Sequence, residues 1–151
     1  MIVIGIDPGT ACGWSVLRDG QHVASGTWDL SSKRHEGGGM RYLRFRRYFR
    51  ELLAGLDSPA VAYEEVRRHA GTSAAHVYGG IIAVLASECE ELQVPYQSIP
   101  VATVKRKATG KGNASKGMMI EAARKRWGAQ VQTHDEADAL WIAVCLTDDL
   151  A

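Results

Sequence analysis

The chain has 151 residues, 46% hydrophobic and 23% charged, a balance that excludes a disordered polymer and fits one domain over residues 1–151. A domain of this size buries roughly two-thirds of the surface its unfolded chain exposes, so a core forms without staples. The net charge of +1 and three cysteines without a CxxC pair argue against a uniformly basic tail, a disulfide framework and a zinc site.

The chain opens with Ile2 to Asp7, a continuous apolar run that predicts a strand buried on both faces. It has no basic n-region, so it does not read as a signal peptide. Asp7-Pro8-Gly9 turns the chain, and strands over Gly13 to Arg18 and Gln21 to Trp28 flank the tight turn Asp19-Gly20. Leu30 to Gly39 reads as a mobile loop ending in three glycines. A helix follows from Met40 to Leu56, with Leu43, Tyr48 or Phe49, Leu52, Leu53 and Leu56 at helical spacing and Arg41, Arg44, Arg47 and Arg50 on another face. Ala60 to Glu65 is the next strand, Arg67 to Ser73 a polar loop, and His76 to Leu92 a helix with an apolar middle. Val94 to Ile99 predicts a short strand. Helices over Val101 to Ala108 and Ser115 to Trp127 follow, and a last helix runs from His134 to Leu146. Strands first, then helices alternating with short strands, predicts an α/β fold with a mixed central sheet flanked by helices. No apolar run reaches membrane-spanning length, since even Ile81 to Ala86 is short. A cytoplasmic, reduced protein with no membrane association is the expectation.

Charge is segregated along this chain. Seven of its eighteen Lys and Arg lie between Lys33 and Arg50 and eight between Lys105 and Arg126, with only Glu36 and Glu121 as acids there. Such tracts suit a polyanion, although on charge alone solvated helix faces explain them better.

Two carboxylates, Asp7 and Glu64, end apolar strands. An ionised carboxylate near a core is costly unless a cation or hydrogen-bond donors meet it. A third group sits in His134-Asp135-Glu136-Ala137-Asp138, where Asp135 and Asp138 share one face of the first turn of an apolar helix. Acids at a helix start also complement the macrodipole, but Asp138 is set among Ala137, Ala139 and Leu140 and wants a partner. Asp7, Glu64, Asp135 and Asp138 together suit a hard ion with oxygen ligands, Mg²⁺ or Mn²⁺. Two such ions activate a water and stabilise a leaving oxygen in phosphodiester hydrolysis. His134 competes with Asp135 for the same position, and the sequence leaves that choice open.

The second constellation runs from Val104 to Lys116. Ser115 is a natural N-cap, which puts Lys116 in a first helical turn, where a cation opposes the helix dipole. An external phosphate explains it, because Gly110 and Gly112 expose amides and Lys105, Arg106, Lys107 and Lys111 add charge. The order differs from a Walker A loop, in which Gly precedes Lys and Ser or Thr follows it.

These blocks in this order, Ile4-Gly5-Ile6-Asp7-Pro8-Gly9-Thr10, then Glu64-Glu65-Val66, then Val104-Lys105 with Gly110-Lys111-Gly112 and Lys116, then Asp135 to Ala139, resemble the RuvC family of Holliday-junction resolvases. The resemblance covers nearly the whole chain. It implies an RNase H-like fold, a homodimer, and Mg²⁺-dependent nicking of four-way DNA junctions that leaves a 5′-phosphate and a 3′-hydroxyl. It places the acidic ligands on Asp7, Glu64, Asp135 and Asp138, and basic DNA contacts on Lys105 and Lys116. The apolar positions Val77, Ile81, Val84 and Leu85 of the helix ending at Leu92 are the candidate dimer contact. Where the family carries Phe after its Glu-x-Val motif, this chain has Arg67, followed by Arg68, and arginine stacks on bases or holds phosphates. The turn after the opening motif is one residue shorter, and the chain is somewhat shorter than bacterial members. These departures mark a divergent member, consistent with a phage-encoded enzyme acting in its host's cytoplasm on branched DNA more widely. The alternatives carried alongside are an RNase H-like nuclease acting on RNA–DNA hybrid and a catalytically inactive branched-DNA-binding protein.

Overall fold

A computed structural model describes all 151 residues. Five strands, β1 (Ile2–Asp7), β2 (Ala11–Arg18), β3 (Gln21–Asp29), β4 (Ala60–Glu65) and β5 (Tyr96–Pro100), form one sheet in the order β3-β2-β1-β4-β5. The β1, β2 and β3 strands pair antiparallel as a meander, whereas β4 and β5 join parallel to β1. Five helices cover it: α1 (Met40–Ala54), α2 (Thr72–Leu92), α3 (Val101–Thr109), α4 (Lys116–Trp127) and α5 (His134–Leu150). The α/β class and the mixed central sheet flanked by helices match the reading from sequence.

Both faces of the sheet are buried, and the period of two along each strand decides which residue serves which face. Val3, Ala62 and Ile99 pack toward α3, α4 and α5. Ile4, Ile6, Val16 and Val61 pack toward Phe45, Phe49 and Leu53 of α1 and Ile81 and Leu85 of α2. The same alternation aims Gly5, Asp7 and Glu64 at the α5 side. The α5 helix lies against β1 and β2 closely enough that a Cβ on Gly5 would stand 2.0 Å from the Ala139 carbonyl oxygen. A Cβ on Gly13 would stand 1.9 Å from the Asp135 oxygen. Glycine is required there by close approach rather than by backbone torsion. Ser15 Oγ, fully buried, adds a hydrogen bond of 2.7 Å to the Ala139 carbonyl.

Several boundaries move. The α2 helix begins at Thr72, four residues before the expected His76, because small Ser73, Ala74 and Ala75 continue the helix that the polar composition disguised. The α5 helix runs on to Leu150, through Asp148 and Asp149. On α1 the buried side chains are Phe45, Phe49 and Leu53, whereas Leu43 is exposed. Ile81 and Leu85, candidates for a dimer contact, are wholly buried in the core of this chain, so packing against β1 and β4 consumes them. Val77 and Val84 are half-buried against the same core. All three cysteines are buried and free, and no helix is long and apolar enough to cross a membrane.

Candidate active site

Asp7 and Glu64 come together because their strands are parallel and in register. The last β1–β4 pair is Ile6 with Tyr63, so each carboxylate is the next residue on its strand. Beyond Asp7 the chain is deflected at Pro8, and past Glu65 β4 leaves the sheet. The site thus lies at the carboxyl ends of parallel strands, where open α/β sheets leave room for ligands.

Asp138 arrives from above. Thr133 caps α5, accepting from the Glu136 amide at 3.1 Å, and the glycine contacts lay the first two turns across β1 and β2. One carboxylate oxygen each from Asp7, Glu64 and Asp138 then fall within 4.8 Å of one another. Asp135 stands beside Asp7, outside that trio, and its charge helps raise the Asp7 pKa. His134 Nε2 lies 3.4 Å from Asp135 Oδ1 and is likewise outside the trio. Glu136, from the same acidic run, is buried for a different purpose. It accepts hydrogen bonds from Ser25 Oγ at 2.9 Å and the Gln132 amide at 2.8 Å, tying α5 to β3.

Burial and mutual repulsion act on the trio in one direction. The Asp7 carboxyl is held well above the usual carboxylate range, first by burial and then by the charges of Asp138, Glu64 and Asp135. Burial pushes Glu64 up to about 7, against the pull of Lys105. Asp138 is also raised to about 7, by burial and then by Glu64 and Asp135, with Lys105 and Lys116 opposing. Three clustered acids in this state resist ionising together unless a cation joins them. An all-carboxylate donor set without a cysteine or histidine in the trio fits a hard divalent ion.

A cleft of about 160 Å³ opens beside the trio, lined by Glu64, Asp138, Lys105, Lys116, Val101, Ala114 and Met119. Ser115 caps α4 by accepting from the Met118 amide at 3.2 Å, which leaves Lys116 in the first turn as its position after the cap predicted. Lys105, on the α3 helix that follows β5 without a break, faces it across the cleft. Lys111 and Arg106 are exposed nearby, whereas Lys107 turns away to pair with Asp148 of α5 at 2.7 Å. Arg67 and Arg68 are exposed on the loop after β4, and Arg67 Nε lies 3.4 Å from Glu65. Tyr78, which the sequence reading did not single out, reaches the same strand end from α2. Only a long-range contact reveals it, so no local signal marked it.

Strand-end Asp7 and Glu64, Asp138 of α5 and the helix-borne Lys105 and Lys116 make a phosphodiester-hydrolase type of centre on an RNase H-like scaffold. The sequence model "Crossover junction endodeoxyribonuclease RuvC" matches residues 3–146. Curated relatives of that name include one from Anaeromyxobacter sp. (strain Fw109-5), 33% identical over 96% of this chain and 72% of its own length. Another, from Anaeromyxobacter dehalogenans (strain 2CP-C), is 35% identical over 96% of this chain and 80% of its own. Among solved structures, Thermus thermophilus RuvC in complex with Holliday junction substrate superposes with a TM-score of 0.82 at 26% identity, covering 95% of this chain and 91% of that one. The chain belongs to the RuvC family of crossover junction endodeoxyribonucleases.

Proposed function

We propose that this protein nicks four-way DNA junctions, and branched DNA more widely, using Mg²⁺ (or Mn²⁺) held by Asp7, Glu64 and Asp138 with Asp135 alongside. The observation that carries the reading is the trio within 4.8 Å opening on a cleft that holds two lysines. A divalent ion, or a pair of them, supplies Lewis-acid polarisation of the scissile phosphate and acidifies a water for attack. Lys116 donates its charge to the scissile phosphate and offsets the negative charge that grows on it during displacement. Lys105 compensates Glu64 and Asp138, and Arg106 and Lys111 steer the phosphate backbone toward the cleft, whereas Lys107 is engaged by Asp148 of α5. Arg67 and Arg68 extend from the loop after β4 toward the junction centre, offering planar guanidinium faces for bases or forked donors for phosphates.

Resolution by paired nicks needs two centres, and each chain carries one such acidic group, so a homodimer is part of the reading. The test is an end-labelled junction, a linear duplex and an RNA–DNA hybrid, each with Mg²⁺ or EDTA. Paired, Mg²⁺-dependent nicks confined to the junction support the proposal. Cutting of the hybrid in preference would make it an RNase H-like ribonuclease, and binding without cutting a junction-binding protein.

A further inference from the structure

Past Glu65 the chain leaves the sheet just where its geometry matters most. β1 supports β4 only as far as the Ile6–Tyr63 pair. β5 stays paired with β4 through Glu65, and on the side that β1 vacates one side chain takes over. Tyr78 Oη donates to the Glu64 carbonyl at 2.9 Å and accepts from the Val66 amide at 3.2 Å. Those are the acceptor and donor that a neighbouring strand would satisfy, two residues apart. The Tyr78 ring also meets the His69 imidazole, with ring centroids 5.0 Å apart. A single phenol on α2 therefore grips three points of the strand end and of the loop that carries Arg67 and Arg68.

We propose that Tyr78 is a positioning residue that fixes the Glu64 carboxylate for cation binding by clamping the Glu64 and Val66 backbone to α2. The inference rests on the reading of Glu64 as a metal ligand. The carboxylate has few torsions between itself and the clamped carbonyl, so a backbone held at Glu64 restricts where its oxygens lie. Metal sites tolerate only about 0.2 Å of error in ligand distance. Removing outer groups that orient ligands commonly costs 10–100-fold in metal affinity. The α2 helix is in turn anchored by Ile81 and Leu85 in the core, which gives the hydroxyl a rigid base.

Tyr78→Phe deletes the hydroxyl and keeps the ring. Mn²⁺ is titrated calorimetrically into DNA-free wild type, Tyr78→Phe and, as the reference for a disabled site, Asp7→Asn. The expected result is Mn²⁺ binding weakened roughly tenfold in Tyr78→Phe, with kcat on the junction restored by excess Mn²⁺ and KM for the junction unchanged. In the wild type, hydrogen exchange at the Val66 amide should be slow, and this measurement needs no variant. Equal Mn²⁺ affinity in wild type and Tyr78→Phe overturns the clamp, as does a freely exchanging Val66 amide in the wild type. Failure of the wild type to nick junctions would instead overturn the proposed substrate, a separate outcome read in a separate assay.

Discussion

The two basic tracts of this chain have similar composition, but only one of them leaves cations facing an acidic cleft. In the first, from Lys33 to Arg50, the cations are largely satisfied from within. Arg41 Nε donates to the Leu30 carbonyl at 2.7 Å and Arg44 pairs with Glu36 at 3.0 Å. Arg46 and Arg50 both engage Glu88, whose side chain is only 5% exposed, and Lys33 engages Asp29. These groups lock α1 to α2 and to the loop before α1, leaving Arg34 and Arg47 outside the network. In the second, Lys107 pairs with Asp148, Arg124 donates to the Val131 carbonyl and Arg126 lies over Trp127, but Lys105 and Lys116 face the carboxylate trio across the cleft, with Arg106 and Lys111 exposed beside them. A count of charges cannot tell these apart. What separates them is whether the opposing charge is supplied by a neighbouring helix or left for a ligand.

The comparison is most severely tested at the acids that the second tract faces. Asp7→Asn should lower cleavage by at least about 10³-fold while junction binding is kept or tightened, because charge is removed from the DNA-facing cleft. Retained cleavage, followed with the labelled junction, would take Asp7 out of the metal centre. Next in size, Lys116→Ala should reduce kcat about 100-fold with junction affinity within about threefold, since the other cations carry most of the backbone attraction. An affinity loss matching the kcat loss would reassign Lys116 to general binding.

The contrast between tracts is sharpened by a matched pair. Arg50→Ala leaves buried Glu88 with Arg46 alone and should cost about 1–3 kcal/mol in urea unfolding without changing the salt dependence of junction binding. Lys105→Ala should do the reverse, lowering the slope of log K against log salt by about one unit and leaving unfolding nearly unchanged. If both variants altered the salt slope equally, the division between the tracts would be lost.

The smallest effect is a pH dependence. Folded Glu64 and Asp138 titrate near 7, above their ordinary values, so between about pH 4 and pH 7 the native state binds more protons than the unfolded one. Stability of the metal-free protein therefore falls as pH rises through that window. The thermal midpoint should be about 5 °C lower at about pH 8 than at about pH 5.5. Excess Mg²⁺ should recover most of that difference at the higher pH and add little at the lower, where protons occupy the site. A calorimetric midpoint that rises with pH in the metal-free protein would mean that the trio is already compensated by cations of the chain.

Much of the candidate site is legible in the sequence. The strand-end settings of Asp7 and Glu64, the N-cap at Ser115 and the inward setting of Asp138 are local signals, carried by alternation, capping chemistry and neighbouring apolar residues. The four blocks in order also indicated the family. Less legible was the division of labour within the acidic run. Asp138 joins the trio, Asp135 flanks it, and Glu136 turns to Ser25 and the Gln132 amide. The rotation of α5 on the sheet decides this, and it depends on contacts at Gly5, Gly13 and Ser15 far away in sequence. The candidate dimer positions Ile81 and Leu85 show the same limit, because an apolar helical stripe reads alike whether a sheet or another subunit covers it.

The class of the fold, the acidic strand-end and helix-start positions of the candidate site and the basic residues near them follow from the sequence, since period, capping and residue type are properties of short segments. Only the tertiary arrangement settles which cations are spent on the scaffold, which three acids converge, and that Tyr78 holds the end of β4. Each of those depends on the positions of groups distant in the chain, and electrostatic and hydrogen-bonding energies are set by distance in space rather than by separation in sequence.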